Sequence, residues 1–338
     1  MLRLLSAGFL FSATGAFAAA LINGAGASFP YPLYAKWFSD YQKSHPETQI
    51  NYQSIGSGGG IRQFTQKTVD FGASDAPMTD DQIKEAGAPV LHIPTVLGAV
   101  VLTYNLPGVS GIVLSGEVIG EIFQGTISKW DDAKIKALNP KLTLPSTAIL
   151  VVHRSDGSGT TAIFTDYLVK AGPGWKAGSG TSVKWPTGLG GKGNEGVAGL
   201  VKQTPGTIGY VELIYAKSNG LTYAAVKNKS GKAVEPDLKS VTAAAGSAKI
   251  PDDFRVSITD AAGKDAYPIS GFTYLLVWKA QTDVAKGQKL VDFLKWAVTE
   301  GQKNAGEMHY APLPKTLVPK IQTAINSIAV QVPAKTGT

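Results

Sequence analysis

Ala148-Ile-Leu-Val-Val-His153-Arg154-Ser-Asp156-Gly-Ser158-Gly159-Thr160-Thr-Ala-Ile-Phe164 passes from an apolar strand through a Gly/Ser turn straight into an amphipathic helix. That order of elements gathers free backbone N–H groups and the positive end of a helix dipole at Gly157 to Thr160, with the Ser158 and Thr160 hydroxyls beside them. Arg154, just upstream, carries a planar fork of donors that suits an oxyanion better than a lysine ammonium does. An ordinary strand-to-helix turn, with Ser158 as a cap and Arg154 facing water, shares this local grammar. The rest of the chain decides between them.

The same grammar occurs twice more. Leu21-Ile22 leads into Asn23-Gly-Ala-Gly-Ala27-Ser28-Phe29-Pro30, and a helix follows with Leu33, Tyr34, Trp37, Phe38 and Tyr41 on one face; Pro30 and Pro32 fit only its first turn. Gln49 to Ile55 then reads as a strand that delivers Gly56-Ser57-Gly-Gly-Gly60 to a second apolar-patterned segment, Ile61 to Phe64. Three hydroxyl-bearing nests in one chain point to convergence on one anion. A fourth segment, Val69-Asp-Phe-Gly-Ala-Ser-Asp75, is a short strand ending in a carboxylate. A carboxylate belongs in an anion site only where the anion carries a proton, because it accepts from that O–H but meets a proton-free oxyanion as like charge without a donor. Such a buried mismatch supplies discrimination on the order of 10⁴ to 10⁵. A capping role for Asp75 competes, yet Thr79 with Gln82 already forms a capping box for the helix that follows.

These segments are similar to the pattern of the periplasmic phosphate-binding proteins of Pst-type ABC transporters. The likeness is carried, in the family's order, by Gly24-Ala-Gly-Ala-Ser-Phe-Pro30, Gly56-Ser57, Val69-Asp-Phe-Gly-Ala-Ser-Asp-Ala-Pro77, Lys129-Trp-Asp-Asp132, Asp156-Gly-Ser-Gly-Thr160, Val183-Lys-Trp-Pro186, Gly188-Leu-Gly-Gly-Lys-Gly-Asn194 and Ile208-Gly-Tyr-Val211. The resemblance implies an α/β, two-lobed periplasmic-binding (Venus-flytrap) fold whose hinge is two crossing strands. It implies closure over one inorganic phosphate and delivery to the permease of an ABC transporter, without cofactor, metal or catalysis. Carried over residue by residue, it implies a phosphate shell of Ala27 as a backbone donor, Ser28 and Phe29 in the first nest, and Ser57 in the second. Asp75 becomes the proton acceptor, Arg154 the charged clamp oriented by Asp156, and Ser158, Gly159 and Thr160 the last donors. Ser28 stands where the family pattern has threonine, Gly58 where a second serine is common, and His153 where a second arginine can occur; these departures bear on affinity rather than on ligand class. Arsenate shares phosphate's geometry and protonation and stays open at this point, as do sulfate and a secreted phosphatase using Arg154 and a serine.

Composition fits an exported binding protein. Residues 1–20 hold a lone Arg3, an apolar run from Leu4 to Phe11 and small residues at Ala16, Ala18, Ala19 and Ala20, the layout of a signal peptide cleaved after Ala18 or Ala20. The apolar run is shorter than the ~20 residues a spanning helix needs, so a free periplasmic protein without membrane insertion is expected. The chain has no cysteine, which removes disulfides, a lipoprotein anchor and thiolate metal sites. Its net charge of +7 is compatible with steering an anion into a cleft. No run of basic residues interleaved with aromatics occurs, so nucleic acid is not an expected partner, and a monomer is expected.

Strand and helix signals alternate along the chain and divide it into a first lobe over 21–103, a second over 104–274, and a return to the first over 275–338. Leu97 to Tyr104 and Phe272 to Trp278 are continuous apolar strands suited to the two crossings. Lys286 to Glu300 has a helical period, with Leu290, Val291, Phe293, Leu294 and Trp296 apolar. Lys170 to Asn194 is glycine-rich and reads as a long surface excursion; the formal G-x-G-x-x-G at 188–193 has no apolar strand leading into it, which argues against a dinucleotide site. Neither Ser57 nor Ser158 lies in a G-x-S-x-G, since Ile55 and Asp156 occupy the first glycine position. His45, His92, His153 and His309 show no metal-type spacing, and His153 should point away from the face that Arg154 occupies. Ala334 to Thr338 reads as a loose end.

Overall fold

The computed structural model describes residues 20–331. One mixed sheet runs through the described chain in the order Thr48–Ser54, Ala20–Gly26, Phe71–Ser74, Ser270–Trp278, Val90–Tyr104, Thr207–Glu212, Leu150–Arg154 and Leu189–Gly191. The 15-residue strand Val90–Tyr104 belongs to both halves. Its first part, through Ala99, pairs antiparallel with Ser270–Trp278, and from Val100 onward it pairs antiparallel with Ile208 to Glu212. The chain comes back beside this hand-over, where Val100 N–H donates to the Ile269 carbonyl at 2.8 Å. The result is an α/β fold of two lobes joined by two strand crossings. Both crossings are covered on each side, which is why the long strand reads as an almost unbroken apolar run.

In the first lobe, Ala20–Gly26 lies parallel between Thr48–Ser54 and Phe71–Ser74. The connecting helix Tyr31–Ser44 buries Leu33, Tyr34, Trp37, Phe38 and Tyr41, the face expected from their spacing. Pro32 sits in its first turn, where a missing N–H removes no helical bond. Phe38 and Tyr41 meet Phe293 at 5.5 and 5.3 Å between ring centroids, so the late helix Val284–Ala297 closes the same core from the other end of the chain. In the second lobe, Leu150–Arg154 lies parallel to the start of Thr207–Glu212 and runs into the helix Gly159–Ala171. Phe164 stacks on Tyr210 at 4.4 Å, and Phe123 meets Phe164 edge-on at 4.7 Å.

Two features depart from expectation. The stretch from Lys170 to Asn194 is not simply a surface excursion. Trp185 stacks on His153, Leu189–Gly191 extends the sheet parallel to Val152 to Arg154, and Gly193 opens the helix Gly193–Gln203. Few apolar residues mark this return because the added strand is three residues long and two of the three are glycine. The second feature is Pro94 inside the long strand, which has no N–H to give the ladder; the register shifts between Thr273 and Tyr274, with Thr95 as the extra residue. The signal-peptide expectation and the loose end at 334–338 fall outside the described residues, apart from Ala20, which pairs with Thr48.

Candidate anion-binding site

Three helices begin at one place between the lobes. Ser28 and Phe29 form the turn before Tyr31–Ser44, Ser57 is the first residue of Ser57–Thr65, and Ser158 caps Gly159–Ala171 by accepting from Thr161 N–H at 3.0 Å. Helix starts carry N–H groups without an intrahelical acceptor; some here are taken locally, Tyr31 N–H by the Ser28 carbonyl and Thr161 N–H by Ser158 Oγ. Gly56, at φ 84°, makes the sharp entry to the second helix, and a side chain there would strike Asp156 of the opposite lobe. The lobes are in contact: Gly58 N–H donates to the Gly157 carbonyl at 2.9 Å, and a Cβ on Gly159 would come within 2.5 Å of both Asp75 Oδ2 and Ser57 Oγ. Closure leaves Ser28, Ser57, Asp75, Arg154, Ser158 and Thr160 buried.

On the first lobe's wall, Asp75 Oδ1 accepts from the Thr273 hydroxyl at 2.8 Å and Oδ2 from Ser57 Oγ at 3.3 Å. Burial pushes this carboxyl up to about 7, while the Thr273 bond, the charge of Arg154 and the Ser57 bond pull it partly back. On the second wall, Arg154 Nε and Nη2 donate to Asp156 Oδ1 and Oδ2 at 2.8 and 2.6 Å. Burial acts to raise the Asp156 carboxyl, but the bonds and charge of Arg154 outweigh it and hold the group below its ordinary value. This side-on pairing neutralises the arginine as a whole and leaves its Nη1 edge facing Thr160, whose Oγ1 lies 3.4 Å away. The Arg154–Asp156 pair as a whole carries no net charge.

The structure brings Ser28, Ser57, Asp75, Arg154, Asp156, Gly159 and Thr160 together, with Phe29 buried behind Ser28. Ser158 faces the same gap, but its N–H is taken by the Thr181 carbonyl, which leaves the hydroxyl proton as its donor. Ala27 is a correction: its N–H donates to the Ala73 carbonyl at 3.0 Å, continuing the sheet, so it cannot serve an anion. His153 stacks on Trp185 and bonds through Nδ1 to the Arg154 carbonyl, away from the gap.

Two residues that sequence reasoning passed over stand in the site. Thr273 lies in an apolar strand and reads as core; the bulge opposite it turns its hydroxyl onto Asp75. Asn194, fully buried in the first turn of Gly193–Gln203, reaches both Ser28 Oγ at 2.9 Å and Thr160 Oγ1 at 3.1 Å. It ends one of the segments that carry the resemblance, which was the available signal.

A PBP superfamily domain model matches residues 12–300. The chain is similar to Phosphate-binding protein PstS of Xylella fastidiosa strain 9a5c, 48% identical over 307 residues that cover 89% of this chain and 84% of that one. It is 46% identical over 308 residues to Phosphate-binding protein PstS of Haemophilus influenzae, covering 89% of this chain and 91% of that one. In fold it is similar to a phosphate-binding protein from Stenotrophomonas maltophilia, with a TM-score of 0.75 at 21% identity over 93% of this chain and 97% of that one.

Proposed function

This chain belongs to the PstS family of phosphate-binding proteins, and from that premise we propose that its buried gap captures inorganic phosphate between the two lobes for hand-over to an ABC-type permease. It is a binding protein and not an enzyme. The observation that carries the site assignment is one carboxylate, Asp75, set among hydroxyl and N–H donors at the meeting of three helix starts.

Parted lobes offer Ser28, Phe29, Ser57 and Asp75 from one wall and Arg154, Ser158, Gly159 and Thr160 from the other. Closure removes water from the anion, and charge-assisted hydrogen bonds at ~1.5–3 kcal/mol each offset that dehydration. Micromolar binding, roughly −8 kcal/mol, needs only a few of these in surplus. The phosphate O–H donates to Asp75, whereas sulfate at neutral pH has no proton to give. Arsenate has both the geometry and the proton, and competes.

We set the lobes at 21–99 with 270–331, and 100–269, a few residues ahead of the expected bounds at 103/104 and 274/275, a choice supported by the change of ladder partner at Val100. Export by a signal peptide cleaved after Ala18 leaves the first strand whole, since Ala20 already pairs with Thr48. The mature receptor acts as a free periplasmic monomer that delivers its ligand to the permease.

Calorimetric titration of the mature protein with phosphate, then with sulfate, at neutral pH tests the assignment. Micromolar or tighter phosphate binding with no sulfate heat is expected. Equal binding of both anions, or turnover of a phosphoester with no retained phosphate, overturns it.

A further inference from the structure

Asn194 has a hydrogen-bond inventory that leaves no freedom. Glu212 N–H donates to its Oδ1 at 2.9 Å, which fixes the carbonyl end of the amide and turns both Nδ2 protons the other way. One of those protons goes to Ser28 Oγ and the other to Thr160 Oγ1. The Asn194 backbone N–H adds a second contact to Ser28 Oγ at 3.3 Å, and Arg154 Nη1 a second to Thr160 Oγ1 at 3.4 Å. Each hydroxyl oxygen thus accepts twice. A hydroxyl with both lone pairs engaged has only its proton left to offer.

We propose that Asn194 is a positioning residue for phosphate capture, latching the two lobes and fixing Ser28 and Thr160 as obligate donors to the anion; this role rests on phosphate being the ligand of the site. The geometry supports both halves of it. Ser28 belongs to the first lobe and Thr160, Glu212 and Asn194 to the second, so the Ser28 bonds form only on closure. The bonds also leave the helix that carries Asn194 instead of folding back to cap it, and the cap residue Lys192 makes no side-chain bond either. A hydroxyl left to rotate would serve an acceptor or a donor equally. Asn194 removes that choice at two positions, so Asp75 is left as the acceptor that meets the ligand's O–H.

The test is the phosphate dissociation rate and affinity of wild type, Asn194→Ala, Ser28→Ala and the double variant, with melting of each followed without phosphate. Asn194→Ala should bind ~10- to 100-fold more weakly, chiefly through faster dissociation, the range expected for one to two aimed hydrogen bonds. In the Ser28→Ala background the same change should lose less, because one of its two targets is gone. Asn194→Asp keeps the shape but accepts where the amide donated; it should bind at least ~1000-fold more weakly at pH 8 and recover as pH falls and the new carboxyl takes a proton. This isosteric variant keeps the claim testable should Asn194→Ala fold poorly. Wild-type binding of phosphate together with an Asn194→Ala affinity within twofold of it, or with fully additive losses, overturns the role of Asn194 alone. A wild type that binds no phosphate overturns the ligand assignment at the first titration, and this role with it.

Discussion

The two walls of the gap are built alike and charged unlike. Each is a strand end feeding a helix start, yet the first presents a carboxyl raised by burial and the second an arginine already matched by its own carboxylate. On the proposed reading the second wall binds any tetrahedral oxyanion, because aimed donors and a neutralised guanidinium carry no information about the ligand's protons. On the same proposed reading the first wall reads those protons whenever Asp75 is ionised, because the carboxylate then has only an anion with an O–H to satisfy it. Affinity and selectivity are on that reading divided between the lobes, and closure is the event that requires both.

The largest expected effect breaks the second wall. Arg154→Met should lower phosphate affinity at least ~1000-fold and leave the half-buried Asp156 without its cation, with a lower melting temperature. Adding Asp156→Asn should restore the melting temperature without restoring binding, as thermal melts and titrations on both variants would report. Recovery of binding in the double variant would mean that the arginine serves the fold and not the anion.

A smaller effect lies on the first wall and depends on pH. Burial pushes the Asp75 carboxyl up to about 7 from an ordinary 3.8, which favours a proton on the closed state between those values. Ligand-free closure is therefore fully favoured below about pH 4 and weakens as pH rises to 7, by at most about 4 kcal/mol, levelling off above. The closed fraction, read from small-angle scattering without phosphate, should fall between pH 5 and 8. Asp75→Asn should flatten that decline; Glu212, also buried and raised well above the ordinary glutamate value, adds a decline of the same sign that stays. An undiminished slope in the variant would detach Asp75 from closure.

The smallest effect is at Thr273. Thr273→Val removes the donor to Asp75 Oδ1 with little change in volume, and should weaken phosphate binding ~3- to 10-fold while Thr273→Ser keeps it. Equal losses in the two variants, measured by titration, would point to packing in the bulged strand.

The three nests and the carboxylate were legible because each is local grammar: a strand, a Gly/Ser turn and a helix start within about ten residues. The apolar stripe of Tyr31–Ser44 was legible for the same reason. What could not be read depends on placement in three dimensions. Ala27 has the surroundings of a donor, but the neighbouring strand takes its N–H through Ala73. Thr273 acquires its role from a register shift set by Pro94 and Thr95, some 180 residues away in sequence. Asn194 enters the gap because Leu189–Gly191 joins the sheet edge, a strand with too few apolar residues to show as a period.

The most direct measurement is the ratio of phosphate to sulfate affinity at neutral pH in wild type and in Asp75→Asn. A wild-type ratio of ~10⁴ or more that collapses at least ~100-fold in the variant, chiefly through gained sulfate binding, is the predicted result. A ratio unchanged by the substitution would place the reading of the ligand's proton elsewhere and contradict the division of labour between the walls.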